Sequence, residues 1–557
     1  MSMSDSNDEV FFNLVDEPWI PVLDRRGTER VLSLQDVFEQ AEDLAELVGD
    51  LPTQAFAHLR VLLAVLHRAV EGPASVEEWT ALRDDVPGTL DAGVGYLRTW
   101  HDRFWLRHPV HPFMQVADLG TAKSEVFGLS RVICDGPGGE LLTTRSGARR
   151  EASDWADAAR WLIHAQAYDV SGIHSGAVGD PRVEGGKGYG IGTGWAGQLG
   201  GVHLVGGTLA ETLLLNLVAG PTVGLRGGSG DLPVWEREPL VAAPEGWSPV
   251  DGPDQAYRIP TGPVDAYTWP ARRIRLFGDG SACTGVVNAQ GDRAQLHNGQ
   301  LVEPMTAWTY SEFYSKVGGQ DTYRPLTHDP SRSLWRGLAS LLPSAPSVSV
   351  RADGPPRRRP PGVIRWFAHL QVEGAVDEGF VEVRTVGMAY GVQDSKFSDL
   401  VADRITLPSA LLGAGGAALV ERALEAVADA DATVRIVGDF AQDVAAASGA
   451  GPEAGARDRA HERTYSLLDG AFRAWIRLLD TTSDLDQLRD AWQVTVRSTA
   501  ERVGAEVVHG AGTAALVGRM VLGRHLDVGV AERRLWRRLR ERLPHAFEDT
   551  ERHQEVG

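Results

Sequence analysis

The sequence predicts an α+β protein: a large mixed N-terminal domain with long loops over residues 1–400, then a C-terminal antiparallel four-helix bundle over residues 401–557. Three observations predict it. Short apolar runs broken by Pro and Gly alternate with short helical patterns through the first 400 residues. A glycine-rich tract, Ser171 to Gly201, interrupts them. After Thr406-Leu407-Pro408, four long amphipathic patterns follow one another with short breaks, as antiparallel neighbours do.

Taken in order, Phe11 to Leu23 is apolar and aromatic but broken by Pro18 and Pro21, which predicts two short strands or a strand and a turn. Ser33 with Asp36 marks a capping box before a helix reaching about Val48. Phe56, Leu59, Leu62, Leu63, Leu66 and Val70 recur at helical spacing from Thr53 to Val70. Ser75 with Glu78 caps a third helix, and a fourth runs from Leu90 to Phe104. The prolines of RHPVHPFMQV, Arg107 to Val116, exclude a helix there. Asp135 to Arg150 reads as a loop, and Ser153 as the N-cap of a helix with Asp154 and Asp157 in its first turn. The glycine tract is too poor in apolar residues for core and longer than an ordinary connection. A short apolar helix from Thr208 to Val218, a strand from Arg272 to Phe277, a rigid basic loop from Pro355 to Pro361 and a strand from Phe380 to Tyr390 complete the first part. The four C-terminal helices are expected at 408–449, 457–480, 484–508 and 511–543.

Composition narrows the function. Lys and Arg number 55 against 75 Asp and Glu, a formal net charge of −20, which argues against a simple cationic nucleic-acid or membrane binder. Two cysteines, Cys134 and Cys283, exclude a disulfide scaffold and a Cys₄ or Cys₃His zinc site, and both are expected as packing residues. The polar, acidic opening residues show no signal peptide and no apolar run reaches the roughly 18 residues of a membrane span, so a cytoplasmic protein is expected.

No catalytic constellation assembles from the sequence. H-E-x-x-H is missing, and Lys187 in GGKGYG lacks the flanks of a phosphate-binding loop. Gly192, Gly194 and Gly197 fit G-x-G-x-x-G, but without the strand before and helix after that a dinucleotide site needs. His101-Asp102, His328-Asp329 and the pair His108 and His111 read as turn and packing residues rather than metal ligands. The expectation is a protein that is not an enzyme, with no cofactor and no metal. The alternative is a hydrolase whose glycine tract is an active-site lid, with His174, Asp180 and Glu184 as its only titratable candidates. A helical adaptor that binds protein alone would leave the glycine tract and the basic clusters without a role.

Those clusters are two. Arg351, Arg357, Arg358, Arg359 and Arg365 surround Asp353. Near the C-terminus, Arg533, Arg537 and Arg540 share one helix face, with Arg534, Arg538 and Arg542 beside it and Leu535, Leu539 and Leu543 on another. This is a leucine-packed helix with an outward arginine ridge, either a solvated face or a track for a phosphate backbone. The glycine tract has two readings as well: a mobile surface loop, or a loop whose backbone approaches a groove closely.

In this order, FNLVDEPWIPV (Phe12 to Val22), HPFMQV (His111 to Val116), the glycine tract and the C-terminal helices resemble the large subunit of the type I-E CRISPR Cascade surveillance complex, the CasA family. THDPSRSLWRGL, Thr327 to Leu338, resembles its actinobacterial members. The resemblance implies a non-catalytic antiviral-defence protein. It reads the protospacer-adjacent motif in double-stranded DNA, largely from the minor groove, and helps open the duplex for guide RNA pairing. It implies as partners the guide RNA complex, the subunit capping the RNA's 5′ handle, the small subunits and a helicase-nuclease, with no membrane. Carried over by residue, the minor-groove glycine loop is similar to Gly172, Ile173, His174, Ser175 and Gly176, with His174 in reach of phosphate. The loop reaching both DNA and handle resembles Leu142, Thr143, Thr144 and Arg145; the wedge resembles Gln393, beside Val392; Lys316 is the candidate minor-groove lysine. The arginine ridge, Arg533 to Arg540, is implied as a contact to DNA backbone or to a partner subunit.

Overall fold

The computed structural model describes residues 10–134, 151–246, 258–345, 354–413, 415–451 and 455–547. The chain divides into two compact units: residues 1–332, 347–377 and 382–404 form the first, and residues 333–346, 378–381 and 405–557 the second. No helix among the described residues is long and apolar enough to cross a membrane.

The first unit opens with β1 (Phe11–Asn13), β2 (Ile20–Asp24), β3 (Glu29–Leu32), α1 (Leu34–Gln40) and β4 (Leu44–Leu47). The capping box of Ser33 and Asp36 is present, but α1 stops at Gln40 because the chain is drawn into β4, which pairs with β2. Next come α2 (Pro52–Ala69), α3 (Val76–Asp84), α4 (Val86–Thr99) and β5 (Trp105–Arg107). The apolar stripe of α2 is the centre of the core: Phe56, Leu59, Leu62, Leu63 and Leu66 are buried. The opening motif folds on itself, since Trp19 donates its indole N–H to the Leu14 carbonyl at 2.9 Å and the Asn13 amide oxygen accepts from the Val15 N–H at 2.9 Å.

Then follow α5 (Trp155–Tyr168), β6 (His174–Ser175), β7 (Lys187–Gly188), β8 (Gly201–Val205), α6 (Leu209–Asn216), α7 (Pro263–Tyr267), β9 (Arg272–Gly278) and β10 (Cys283–Gln290). Ser153 is not the N-cap of α5. Asp154 takes that place, accepting from the Asp157 N–H at 2.6 Å, because the Ser153 backbone exchanges two hydrogen bonds with Cys283. The HPFMQV segment braces β9: the Gln115 side chain accepts from the Leu276 N–H and donates to the Leu106 carbonyl, and Phe113 stacks on Phe104.

The glycine tract, expected to be too poor in apolar residues for core, contributes both strands and core residues. It supplies β6 and β7 to a four-stranded sheet of order β7-β6-β10-β9, and Ala177, Trp195, Ala196 and Leu199 are buried. Its glycines permit contacts that a side chain would block: a Cβ on Gly194 would lie 2.5 Å from the Ala167 carbonyl. The unit ends with β11 (Trp308–Tyr310), α8 (Glu312–Gly318), β12 (Tyr323–Pro325), β13 (Arg358–Arg359), α9 (Gly362–Val372) and residues 382–404 of the long hairpin of β14 (Phe380–Tyr390) and β15 (Phe397–Pro408). Arg358 and Arg359, expected in a loop, pair with β11. Sheet order β15-β14-β8 places the hairpin against β8.

The second unit holds α10 (Ala417–Ser448), α11 (Ala456–Ile476), α12 (Leu485–His509), α13 (Gly512–Val517), β16 (Arg519–Val521), β17 (Arg524–Leu526) and α14 (Val528–Arg542). Helix α10 packs against α11, α12 and α14. Trp335, Phe472, Trp475 and Trp492 form its aromatic core, with Trp335 stacked on Phe472 at 4.5 Å. The expected fourth helix, 511–543, is four elements instead: α13, β16, β17 and α14. Gly518, at φ 72°, ends α13, and Leu522 and Gly523, both at positive φ, turn β16 into β17 as a two-residue hairpin. The first helix begins at Ala417 rather than residue 408 because Thr406 to Pro408 are the last residues of β15.

Candidate nucleic-acid interface

Within the first unit, a cleft of about 950 Å³ is lined by residues 130–134, 169–174, 189–190, 393 and 395–397. It therefore joins Gly172, Ile173 and His174, Gln393, and the residues that lead into the 135–150 segment. Leu142, Thr143, Thr144 and Arg145 lie outside the described residues.

The hairpin turn carries one wall. Strands β14 and β15 are joined by residues 391–396, with Gln393 at φ 57° and ψ 27° and Asp394 at φ 53°, two left-handed residues in succession. That backbone turns the chain sharply and leaves Val392 86% exposed and Gln393 exposed beside it. The turn is tied to the opposite wall: the Ser171 N–H donates to the Asp394 carbonyl at 2.8 Å, and the Tyr390 hydroxyl donates to the Tyr168 carbonyl at 2.6 Å.

The other wall is the glycine loop. Ile173 is 55% exposed, whereas Gly176 is buried, with a Cβ position 2.6 Å from the Gly186 carbonyl. Ser175 lies in β6, paired with Lys187 of β7 and Ala289 of β10. His174 does not reach outward for phosphate. Its ring lies inward, Nε2 2.7 Å from Asp169 Oδ2 and Nδ1 3.0 Å from both the Gly172 carbonyl and the Gln290 side-chain amide. It braces the loop from beneath.

Asp169 is the centre of that brace. Burial pushes its carboxyl up, but His174, Arg272 and the Asn288 amide outweigh burial and hold it well below the usual carboxylate range. Arg272 and Asn288 come from β9 and β10, about a hundred residues away, and no local pattern announces them. Arg131 and Lys396 are exposed cations at the cleft. Sequence reasoning missed both, since each is an isolated basic residue; the position of Lys396 three residues after Gln393 is the one signal available.

Other candidates lie elsewhere. Lys316 is exposed on α8 and does not line the cleft. In the second unit the arginine ridge splits into two rows. Arg534, Arg538 and Arg542 are paired with Asp443, Asp439 and Asp429 of α10 at 3.0, 2.7 and 2.8 Å, while Arg533, Arg537 and Arg540 are exposed. The outward ridge is therefore half as wide as the helix pattern suggested. The hydrolase candidates do not converge: Asp180 accepts two hydrogen bonds from the Arg182 guanidinium, and His174 bonds to Asp169. Among the described residues no three His, Cys, Asp or Glu side chains gather to hold a metal ion. Both cysteines are buried, and burial pushes the Cys283 thiol up to about 12.

The family model described as CRISPR-associated protein Cse1 matches residues 13–503. CasA/Cse1 of Thermus thermophilus is 27% identical over 504 residues, 86% of this chain and 90% of that protein. The crystal structure of Thermobifida fusca Cse1 matches with a TM-score of 0.86 at 42% identity, covering 96% of this chain and 98% of the other. That of Acidimicrobium ferrooxidans Cse1 matches with a TM-score of 0.79 at 29% identity, over 97% and 99%. The α+β architecture described above is the architecture of those Cse1 structures. A match that spans all but the first residues and the last helices of the chain, with full-length structural agreement, makes this protein a member of the CRISPR-associated protein Cse1 family.

Proposed function

We propose that this chain is the non-catalytic large subunit of a CRISPR RNA-guided surveillance complex, and that its cleft reads the protospacer-adjacent motif in double-stranded target DNA. A chain of a CRISPR RNA-guided surveillance complex shares its fold, with a TM-score of 0.63 at 20% identity. The observation that carries the reading is the union of glycine loop and hairpin turn in one cleft, joined by the Ser171–Asp394 hydrogen bond.

In this reading Gly172, Ile173 and Ser175 lie along the minor groove, whose hydrogen-bond code is degenerate, so several related motifs are tolerated. Gln393, carried on a turn that leaves it exposed, enters beneath the first base pair and offsets part of the unstacking cost of a few kcal/mol per step. Arg131 and Lys396 attract the phosphates that flank the groove. The guide RNA complex, the 5′-handle-capping subunit, the small subunits and the helicase-nuclease are its partners. The exposed row Arg533, Arg537 and Arg540 contacts displaced DNA or one of those subunits. The acidic total limits adhesion to non-target DNA, since binding is shared across a complex.

The test is a mobility-shift titration at fixed salt, using motif-bearing and scrambled-motif target duplexes and the remaining subunits with guide RNA. Adding this chain is expected to restore motif-dependent binding. Equal binding without it would remove DNA recognition from this chain.

A further inference from the structure

Beneath the glycine loop lies a buried polar cluster centred on Asp169, which His174 ties to the loop. Arg272 of β9 is fully buried, and its guanidinium spans two chain segments far apart in sequence. Its Nε donates to Asp169 Oδ2 at 2.9 Å, and its Nη2 donates to the carbonyls of Val170 and Gly192, each at 2.8 Å. One side chain thus holds the residue entering the glycine loop and the tract's return segment. Asn288 of β10 extends the cluster: its amide donates to Asp169 Oδ2 and to the Arg131 carbonyl, each at 3.0 Å. Residue 131 lines the remaining wall of the cleft.

A guanidinium is a rigid plane with donors in a fixed fork, so bonding two carbonyls through it fixes their separation; an ammonium is a point charge that cannot. Because Ser171 is bonded to Asp394, whatever sets the position of Val170 also sets the glycine loop relative to the hairpin turn. We infer that Arg272, paired with Asp169, is the positioning residue of the cleft: it sets the spacing between glycine loop and hairpin turn, and through that spacing the discrimination between DNA motifs. The inference rests on the reading of the cleft as the motif-reading site.

The discriminating variant is Arg272→Lys, which keeps a cation beside the Asp169 carboxylate and removes the fork. It is assembled in the full complex with guide RNA, and dissociation constants are measured on motif-bearing and scrambled-motif duplexes at one salt concentration. The native complex is the control for the underlying reading: if it binds both duplexes equally, the motif-reading proposal itself fails. With native discrimination present, Arg272→Lys is expected to lower the ratio of the two constants about tenfold while scrambled-motif binding stays within about twofold. An unchanged ratio, or an equal loss on both duplexes, overturns the inference. Should Arg272→Lys fail to assemble, Asp169→Asn serves instead. It keeps the shape of the side chain and removes the carboxylate that Arg272 pairs with, and the same fall in the ratio is expected. An unchanged ratio there likewise overturns the inference.

Discussion

The backbone N–H of Ser171 donates to the carbonyl of Asp394 at 2.8 Å, joining two segments more than two hundred residues apart in the chain. The bond is made between main-chain atoms, so it survives side-chain substitution at either residue. With the bond from the Tyr390 hydroxyl to the Tyr168 carbonyl, it ties the glycine loop to the hairpin turn. A duplex bound by the loop would meet the turn at a fixed offset, which is what a reader coupled to a wedge requires.

Gln393→Ala should therefore separate binding from opening. Gln393 is exposed, so its loss removes no core contact, and the left-handed backbone at φ 57°, which costs an L-residue roughly 1–2 kcal/mol, is already borne by glutamine. The melting temperature is expected to stay within a few degrees. Strand separation in the assembled complex, followed by a fluorescent base analogue at the first target position, is expected to fall by about tenfold or more, in line with a few kcal/mol of unstacking per step. Normal opening would remove the wedge role.

Gly172 offers a cleaner test of the loop than its glycine neighbours. A Cβ there would meet only Val170 Cγ2, at 3.8 Å, an ordinary contact, whereas one on Gly176 would strike the Gly186 carbonyl. Gly172→Leu should thus fold normally, as read by thermal melting. Binding to motif-bearing duplex is expected to weaken about tenfold, roughly 1.4 kcal/mol, with scrambled-motif binding unchanged. Equal loss on both would make the loop a backbone contact only.

The hairpin was legible because Phe380 to Tyr390 alternates and Gly391 follows it, both local signals. The helices of the second unit were legible for the same reason, except where Leu522 adopts positive φ. Leucine rarely does so, and the two-residue turn it makes with Gly523 lacks the Asn or Asp usual at the first position. The inward role of His174 was not legible. Its partner Asp169 is near in sequence, but Arg272 and Asn288, which make Asp169 a buried anion, arrive from strands a hundred residues on. Long-range polar pairing leaves no periodicity. The same holds for the three aspartates of α10 that take up half of the arginine ridge.

Three buried histidines set an acid limit on the fold. Burial pushes the pKa values of His58, His164 and His203 down to about 3, with neighbouring Arg160 adding to the effect at His58 and Arg384 at His203. In the unfolded chain they titrate near 6.5. As pH falls below that value, the unfolded state takes up protons that the folded state refuses. The stability these groups contribute is whole above about pH 6.5 and is lost progressively toward pH 3. Each removes on the order of 2 kcal/mol by pH 5. Urea midpoints between pH 8 and pH 5 should fall accordingly. His58→Leu, retaining an apolar neighbour for the Trp19 ring now 5.2 Å from the imidazole, should flatten the slope. A slope unaltered by that change would show that His58 does not titrate on unfolding.

The two arginine rows of α14 predict opposite phenotypes. Arg534 and Arg538 hold Asp443 and Asp439, so Arg534→Ala with Arg538→Ala removes two half-exposed ion pairs between α14 and α10. Pairs of that exposure are worth at most about 1 kcal/mol each, so a lowered melting temperature with unchanged DNA affinity is expected. Arg537 and Arg540 stand outside those pairs; Arg537 is 3.9 Å from Glu541 of its own helix, and Arg540 lies over the Phe547 ring. Arg537→Glu with Arg540→Glu should leave the melting temperature in place. If the row follows a phosphate backbone, the slope of log affinity against log salt for the assembled complex falls by about two, one for each lost contact. A slope unchanged by the reversal, with weaker capture of a partner subunit, assigns the row to protein instead. The measurement therefore decides which of the two surfaces meets α14, because counterion release accompanies phosphate contacts and not a protein interface of the same charge.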